Sequence, residues 1–232
     1  MEALADNGTI LLLFVACLVA YFLKGFSGFG PALVYIPTVS LLMSPAVALA
    51  SSAFIDLLVG AGLALTLRYE PGDGALVFRM ASSMLIGTVV GASLAGVVSE
   101  QITLFLIGLA VVGLGIRLLM TLHVPSSPGQ VPPRLFWLGC TAGGFTGGLV
   151  GISGPFIVAA SRSIMDKSRF RRVLVAVFLI EGAAKLAIYG IVGVFSQQAF
   201  IVAAVAAPGV LVGLLVGYRM HRDVSEIVFS SV

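Results

Sequence analysis

Apolar residues run in long blocks along this chain, and polar residues, glycines and prolines gather where the blocks stop. Runs bounded in this way fall at 9–24, 31–44, 46–67, 76–98, 102–120, 134–150, 155–164, 172–195 and 199–218. Alternation with a period of two is weak, which argues against the closed sets of alternating strands that a spanning barrel requires. The pattern predicts helices throughout. Two blocks are short, since at about 1.5 Å per residue 31–44 extends about 21 Å and 155–164 about 15 Å. Neither crosses a hydrocarbon layer of about 30 Å alone. We therefore expect 9–24 with 31–44, and 134–150 with 155–164, to form helical hairpins whose glycine-rich connections dip toward the membrane midplane.

Composition agrees with a membrane setting. Of 232 residues, 59% are hydrophobic and 10% charged, and the mean hydropathy is +1.13. A soluble core wrapped in a polar surface does not have that composition. The fold class expected is an all-α polytopic membrane protein.

Charge sets an expected orientation. With the blocks threaded alternately, Arg68, Arg79, Arg117, Arg134, Arg162, Lys167, Arg169, Arg171, Arg172, Arg219 and Arg222 fall on one face, whereas Glu2, Asp6 and Glu100 fall on the other. The positive-inside rule then puts the N-terminus outside and the C-terminus in the cytoplasm. The same basic loops account for the net charge of +3, so a nucleic-acid partner is not implied. The first residues lack the basic start of a cleavable signal, and Cys17 and Cys140 lie inside apolar blocks, where packing is favoured over a disulfide or metal site.

The chain also repeats. Phe26-Ser27-Gly28-Phe29-Gly30-Pro31 aligns with Val150-Gly151-Ile152-Ser153-Gly154-Pro155, Gly87 to Gly91 with Gly213 to Gly217, and Val98-Ser99-Glu100 with Val224-Ser225-Glu226, at offsets of 124 to 126. Residues 1–100 and 134–232 form the two expected transmembrane repeats, with 101–133 as a linking helix and loop in one membrane domain. An odd number of crossings between equivalent points makes the repeats inverted, with two broken or re-entrant hairpins meeting near the midplane.

The breaks carry the expected chemistry. Loops spanning 25–31 and 148–155 each feed a helix N-terminus, with Pro31 and Pro155 at its start. Backbone N–H groups there favour an anion, and glycine allows close approach. The candidate binding residues are Lys24, Ser27, Gly28, Phe29 and Gly30 in the first half, and Gly151, Ile152, Ser153 and Gly154 in the second. Lys24 would attract the anion or snorkel to an interface. Glu181 and Lys185, four apart, suit a mutual ion pair. Asp56 has no cation nearby in sequence and would carry a proton or hydrogen-bond a broken helix. Proton coupling would run through Asp56 or Glu181. Scattered glycines such as Gly87, Gly91, Gly213 and Gly217 are expected to pack helices closely.

No nucleophile–base or metal-ligand arrangement stands out, His123 and His221 lie in loop or terminal regions, and the glycine runs are neither dinucleotide nor phosphate-loop fingerprints. No enzyme activity, cofactor or metal is expected.

In the segments Lys24-Gly-Phe-Ser-Gly-Phe-Gly-Pro31 and Gly148-Leu-Val-Gly-Ile-Ser-Gly-Pro155, the chain resembles the sulfite exporter TauE/SafE family, also grouped with the toluene-sulfonate uptake permeases. The resemblance extends over nearly the whole chain. It implies a bacterial inner-membrane secondary transporter for a sulfur-containing anion such as sulfite, sulfoacetate or another organosulfonate, driven by the proton-motive force. The second break has Ile152 and Ser153 where the first has Gly28 and Phe29, so the loops would contact unequal parts of the anion. An uncoupled anion channel and a structural membrane partner of a sulfur-metabolising enzyme stay open as alternatives. The partners implied are a small anion and the lipid bilayer; a homodimer is compatible with so small a bundle.

Overall fold

A computed structural model describes residues 7–28, 30–121, 132–161 and 165–223. Among these, nine helices account for the architecture and no strand occurs: α1 (Asn7–Ser27), α2 (Ala32–Leu42), α3 (Pro45–Thr66), α4 (Asp73–Ala95), α5 (Glu100–Thr121), α6 (Pro133–Val150), α7 (Gly154–Ser161), α8 (Lys167–Ile191) and α9 (Gln197–Asp223). Each corresponds to one apolar block. Phe29, Glu2, Asp6, His123, Arg162 and the Val224-Ser225-Glu226 end of the repeat lie outside the described residues.

Helix boundaries follow local chemistry. Ser44 caps α3 by accepting from the Val47 amide at 3.4 Å, with Pro45 at the first position. Asp166 caps α8 by accepting from the Arg169 amide at 2.9 Å. At the other end, α6 stops at Gly151, whose φ of 79° returns its N–H to the Gly147 carbonyl at 3.1 Å. By length and composition α1, α3, α4, α8 and α9 can each cross a membrane, and α2 is a shorter apolar helix. The protein is a polytopic, all-α membrane protein.

Packing follows the repeat in sequence. The most extensive helix contacts are α1 against α9 and α4 against α6, and α3 also packs on α8. Exchanging the halves (α1 for α6, α4 for α9, α3 for α8) maps these contacts onto themselves. Both large interfaces are built on glycine. A Cβ at Gly87 or Gly91 would run into the α6 backbone at Thr141 and Phe145, and one at Gly144 into the Met84 carbonyl of α4. On the other side, Gly213 and Gly217 meet the α1 backbone at Leu18 and Phe22. Backbones approach this closely only where no side chain intervenes, the usual device for binding helices in lipid.

The glycine breaks are shorter than the sequence suggests. Gly25 to Ser27 belong to α1 and Gly148 to Val150 to α6, leaving Gly28, Gly30, Pro31 and residues 151–153 outside regular helix. Gly25 and Gly148 serve packing instead: a Cβ at Gly25 would meet the α9 backbone, with the Tyr218 amide at 2.9 Å, and one at Gly148 would meet the Thr88 carbonyl of α4 at 2.7 Å.

A polar junction ties the α3–α4 connection to the start of α8. Asp73, fully buried, accepts from Arg169 Nε at 3.1 Å and Arg172 Nε at 2.9 Å, and Arg172 also pairs with Glu70 at 2.9 Å. Part of the basic cluster is thus held by carboxylates rather than left to water.

Candidate functional site

The two breaks line one small cavity. Gly30 to Leu33 border it from the first hairpin and Gly151 to Pro155 from the second, while Asp56 of α3 and Glu181 of α8 close it laterally. Its volume is about 40 Å³, room for about three waters or one small oxoanion. Gly30, at φ 94°, has open space where a Cβ would stand, so the backbone is bare toward the cavity. Gly151 is confined: with φ at 79°, an added Cβ would meet Ile36 Cδ1 at 2.8 Å and Leu49 Cδ2 at 3.0 Å.

Helix starts face this space. Pro31 directly precedes α2, and Gly154 and Pro155 open α7. The first amides of a helix have no intrahelical acceptor and carry the positive end of its dipole, which suits a negative ligand.

Four charged side chains line the cavity, and they form two ion pairs. Lys24 Nζ donates to Asp56 Oδ1 at 2.6 Å, and the Tyr21 hydroxyl donates to the same oxygen at 3.2 Å. Lys24 is 6% exposed, so it neither snorkels to an interface nor stands alone. Its ammonium also lies 5.8 Å from the centre of the Tyr21 ring. Asp56, without a cation nearby in sequence, takes one from 32 residues away.

The second pair is looser. Lys185 Nζ lies 3.2 Å from Glu181 Oε1, in the i, i+4 arrangement expected, yet off the direction a hydrogen bond requires at that oxygen. Ser153 Oγ donates to Glu181 Oε2 at 3.2 Å, fixing the second break to α8. Gly147 makes this possible, because a Cβ there would overlap Glu181 Oε1 and lie 2.7 Å from Ser153 Cβ.

Not every candidate reaches the cavity. Lys24, Gly30, Asp56, Gly151, Ile152, Ser153, Gly154, Glu181 and Lys185 line it, whereas Ser27 and Gly28 do not. The Ser27 hydroxyl donates to the Leu23 carbonyl one turn back at 2.7 Å, and the Gly28 amide donates to the Lys24 carbonyl at 2.8 Å. Phe29 is outside the described residues.

Sequence reasoning also passed over residues that brace the site. Arg171 donates to the Gly25 carbonyl at 3.0 Å and lies over the Tyr218 ring at 5.2 Å, tying α8 to the end of α1 and to α9. Tyr189 donates to the Gly148 carbonyl at 2.5 Å. Only the aromatic and basic character of these positions was available as a signal, and both are common in membrane helices.

A cavity of this kind, with bare backbone, two helix starts and two lysines, is suited to a small anion. One family model, Sulfite exporter TauE/SafE, matches residues 13–232. The chain belongs to this family. It is accordingly a membrane transporter of sulfite or a related sulfur anion, and TauE/SafE membership covers both breaks and every charged residue of the cavity. No curated protein and no solved structure matched the chain. The residue roles in this TauE/SafE chain therefore rest on its own geometry.

Proposed function

We propose that the protein is a secondary active carrier that exports a sulfur-containing anion, such as sulfite, sulfoacetate or a related organosulfonate, across the bacterial inner membrane. The observation that carries this reading is the joint lining of one cavity by both breaks together with Lys24 and Lys185. The anion is held by backbone N–H groups at the starts of α2 and α7, and a lysine released from its paired carboxylate balances its charge. Residues 1–100 and 134–232 act as inverted repeats that rock about this site and expose it to one side at a time, coupled to protons through a cavity carboxylate. The N-terminus lies outside, in keeping with the basic residues that crowd the opposite face.

Flux into proteoliposomes of the purified protein tests the reading. Saturable uptake of sulfite or sulfoacetate, responsive to an imposed pH gradient and absent for taurine and chloride, is the expected result. High, non-saturating conductance would replace the carrier with a channel, and no flux of either sulfur anion in vesicles containing folded protein would overturn the transport role proposed for the cavity.

A further inference from the structure

The cavity is electrically neutral before any anion enters, and this constrains what must accompany the substrate. Its charged side chains are Lys24 and Lys185 against Asp56 and Glu181, all with side-chain exposures of 16% or less. An entering anion adds negative charge where little water can screen it, and a space of about 40 Å³ does not admit a hydrated counter-ion as well. A proton on one carboxylate restores neutrality and releases its lysine to the anion.

The two carboxylates are not equally ready to let go. Asp56 holds Lys24 by a directed hydrogen bond at 2.6 Å and keeps the Tyr21 hydroxyl as a second donor. Glu181 holds Lys185 at 3.2 Å without hydrogen-bond geometry at Oε1, and its other oxygen engages Ser153. Protonating Glu181 at Oε1 therefore releases the Lys185 ammonium beside the start of α7, while Oε2 goes on accepting from the Ser153 hydroxyl. Glu181 is faced by Asp56 of α3 and by Lys185 and Tyr189 of its own helix, and Asp56 by Tyr21 and Lys24 of α1 and Tyr35 of α2. Every Asp, Glu, Lys or Arg described on α4, α5, α6 and α9 lies within about two turns of a helix end, and α7 carries none.

We infer that Glu181 takes up one proton with each anion, so that proton and anion cross together in the same direction. The inference rests on the carrier reading above. The proton arrives from the aqueous side on which the anion enters, resides on a Glu181 carboxylate oxygen, and leaves to the opposite side as the anion departs and Lys185 returns to the carboxylate. A monoanion then crosses without net charge, and an outside-acid gradient opposes its export. A dianion crosses with one net negative charge, and an inside-negative potential drives it outward, which is consistent with export.

The experiment uses wild-type and Glu181→Gln proteoliposomes with the membrane potential clamped by potassium and valinomycin. An outside-acid gradient is expected to drive sulfite inward in the wild type. Glu181→Gln is expected to exchange sulfite for sulfite without gradient-driven accumulation, and to move about one proton fewer per sulfite. Sulfite itself titrates near neutrality, so the proton count is taken as the difference between the two proteins. Sulfoacetate, fully ionised near neutral pH, gives the direction of coupling in the wild type alone, so movement of the anion against the proton would overturn the inference even if the variant fails to fold. Equal proton counts in both proteins, anion moving against the proton, or saturable flux indifferent to the gradient would overturn this inference while leaving the carrier intact. Absence of both fluxes in the wild type would overturn the carrier reading and this inference with it.

Discussion

Asp56→Asn removes the carboxylate that pairs with Lys24 among the described residues, and the consequence can be sized from burial. The ammonium is 2.6 Å from Asp56 Oδ1 and the lysine is 6% exposed, so its other contact, the Tyr21 ring at 5.8 Å, cannot replace a counter-ion. Orphaning one member of a buried pair costs about 3–5 kcal/mol. The reverse change, Lys24→Met, is expected to cost less, because Asp56 retains the Tyr21 hydroxyl at 3.2 Å and its side chain is 16% exposed. A hydrogen bond to a charged group contributes about 1.5–3 kcal/mol, which brings this loss to about 2 kcal/mol. The double variant leaves no uncompensated charge, so its loss should fall well short of the sum, by about 2 kcal/mol. Unfolding of the four proteins by sodium dodecyl sulfate, followed by circular dichroism, supplies the cycle. Sulfite at about 100 times its dissociation constant should return about 2.7 kcal/mol to any variant that still binds it. Additivity of the two single changes to within about 0.5 kcal/mol would refute the reasoning, because it would mean that the pair is not energetically coupled.

Other outcomes follow from the packing. Gly144→Leu forces a side chain into the Met84 carbonyl of α4 and should cost at least about 3 kcal/mol, whereas Gly108→Leu on α5, with nothing within 4 Å, should leave the folded yield in size-exclusion chromatography unchanged. Asp73→Ala removes the carboxylate shared by Arg169 and Arg172 and leaves Arg172 with the more exposed Glu70, so it should destabilise the protein by about 2 kcal/mol and open the loop before α4 to limited proteolysis. Tyr189→Phe deletes one hydrogen bond to the Gly148 carbonyl and should cost about 1 kcal/mol in the same unfolding assay while leaving sulfite affinity within about twofold.

Much of the fold could be read from the chain because membrane helices announce themselves locally. Nine apolar blocks became nine helices, and the i, i+4 spacing of Glu181 and Lys185 became an ion pair. The glycine pairs at 87 and 91 and at 213 and 217 became close helix contacts. What local pattern does not encode is which distant groups meet. Asp56 looked unpaired because its lysine sits on a different helix, and Asp73 drew no attention because its arginines lie nearly 100 positions along the chain. The extent of the breaks was overstated for a related reason. Gly25 and Gly148 look like loop glycines beside Gly28 and Gly151, yet they are helical, since the space that each leaves empty is filled by a neighbouring helix backbone. Ser153 was expected to face the anion directly, and the carboxylate that engages its hydroxyl is 28 residues away.

The most direct test of a site shared by both breaks is calorimetric titration of sulfite into the purified protein and into Gly30→Leu and Gly154→Leu, with folding checked by circular dichroism. Gly30 has open space where a side chain would stand, and both Gly30 and Gly154 line the cavity, so a leucine at either position is expected to crowd the anion. One sulfite bound per chain in the wild type, and loss of that binding in each folded variant, is the predicted result. Undiminished sulfite affinity in either folded variant would contradict a single cavity formed by the two breaks together.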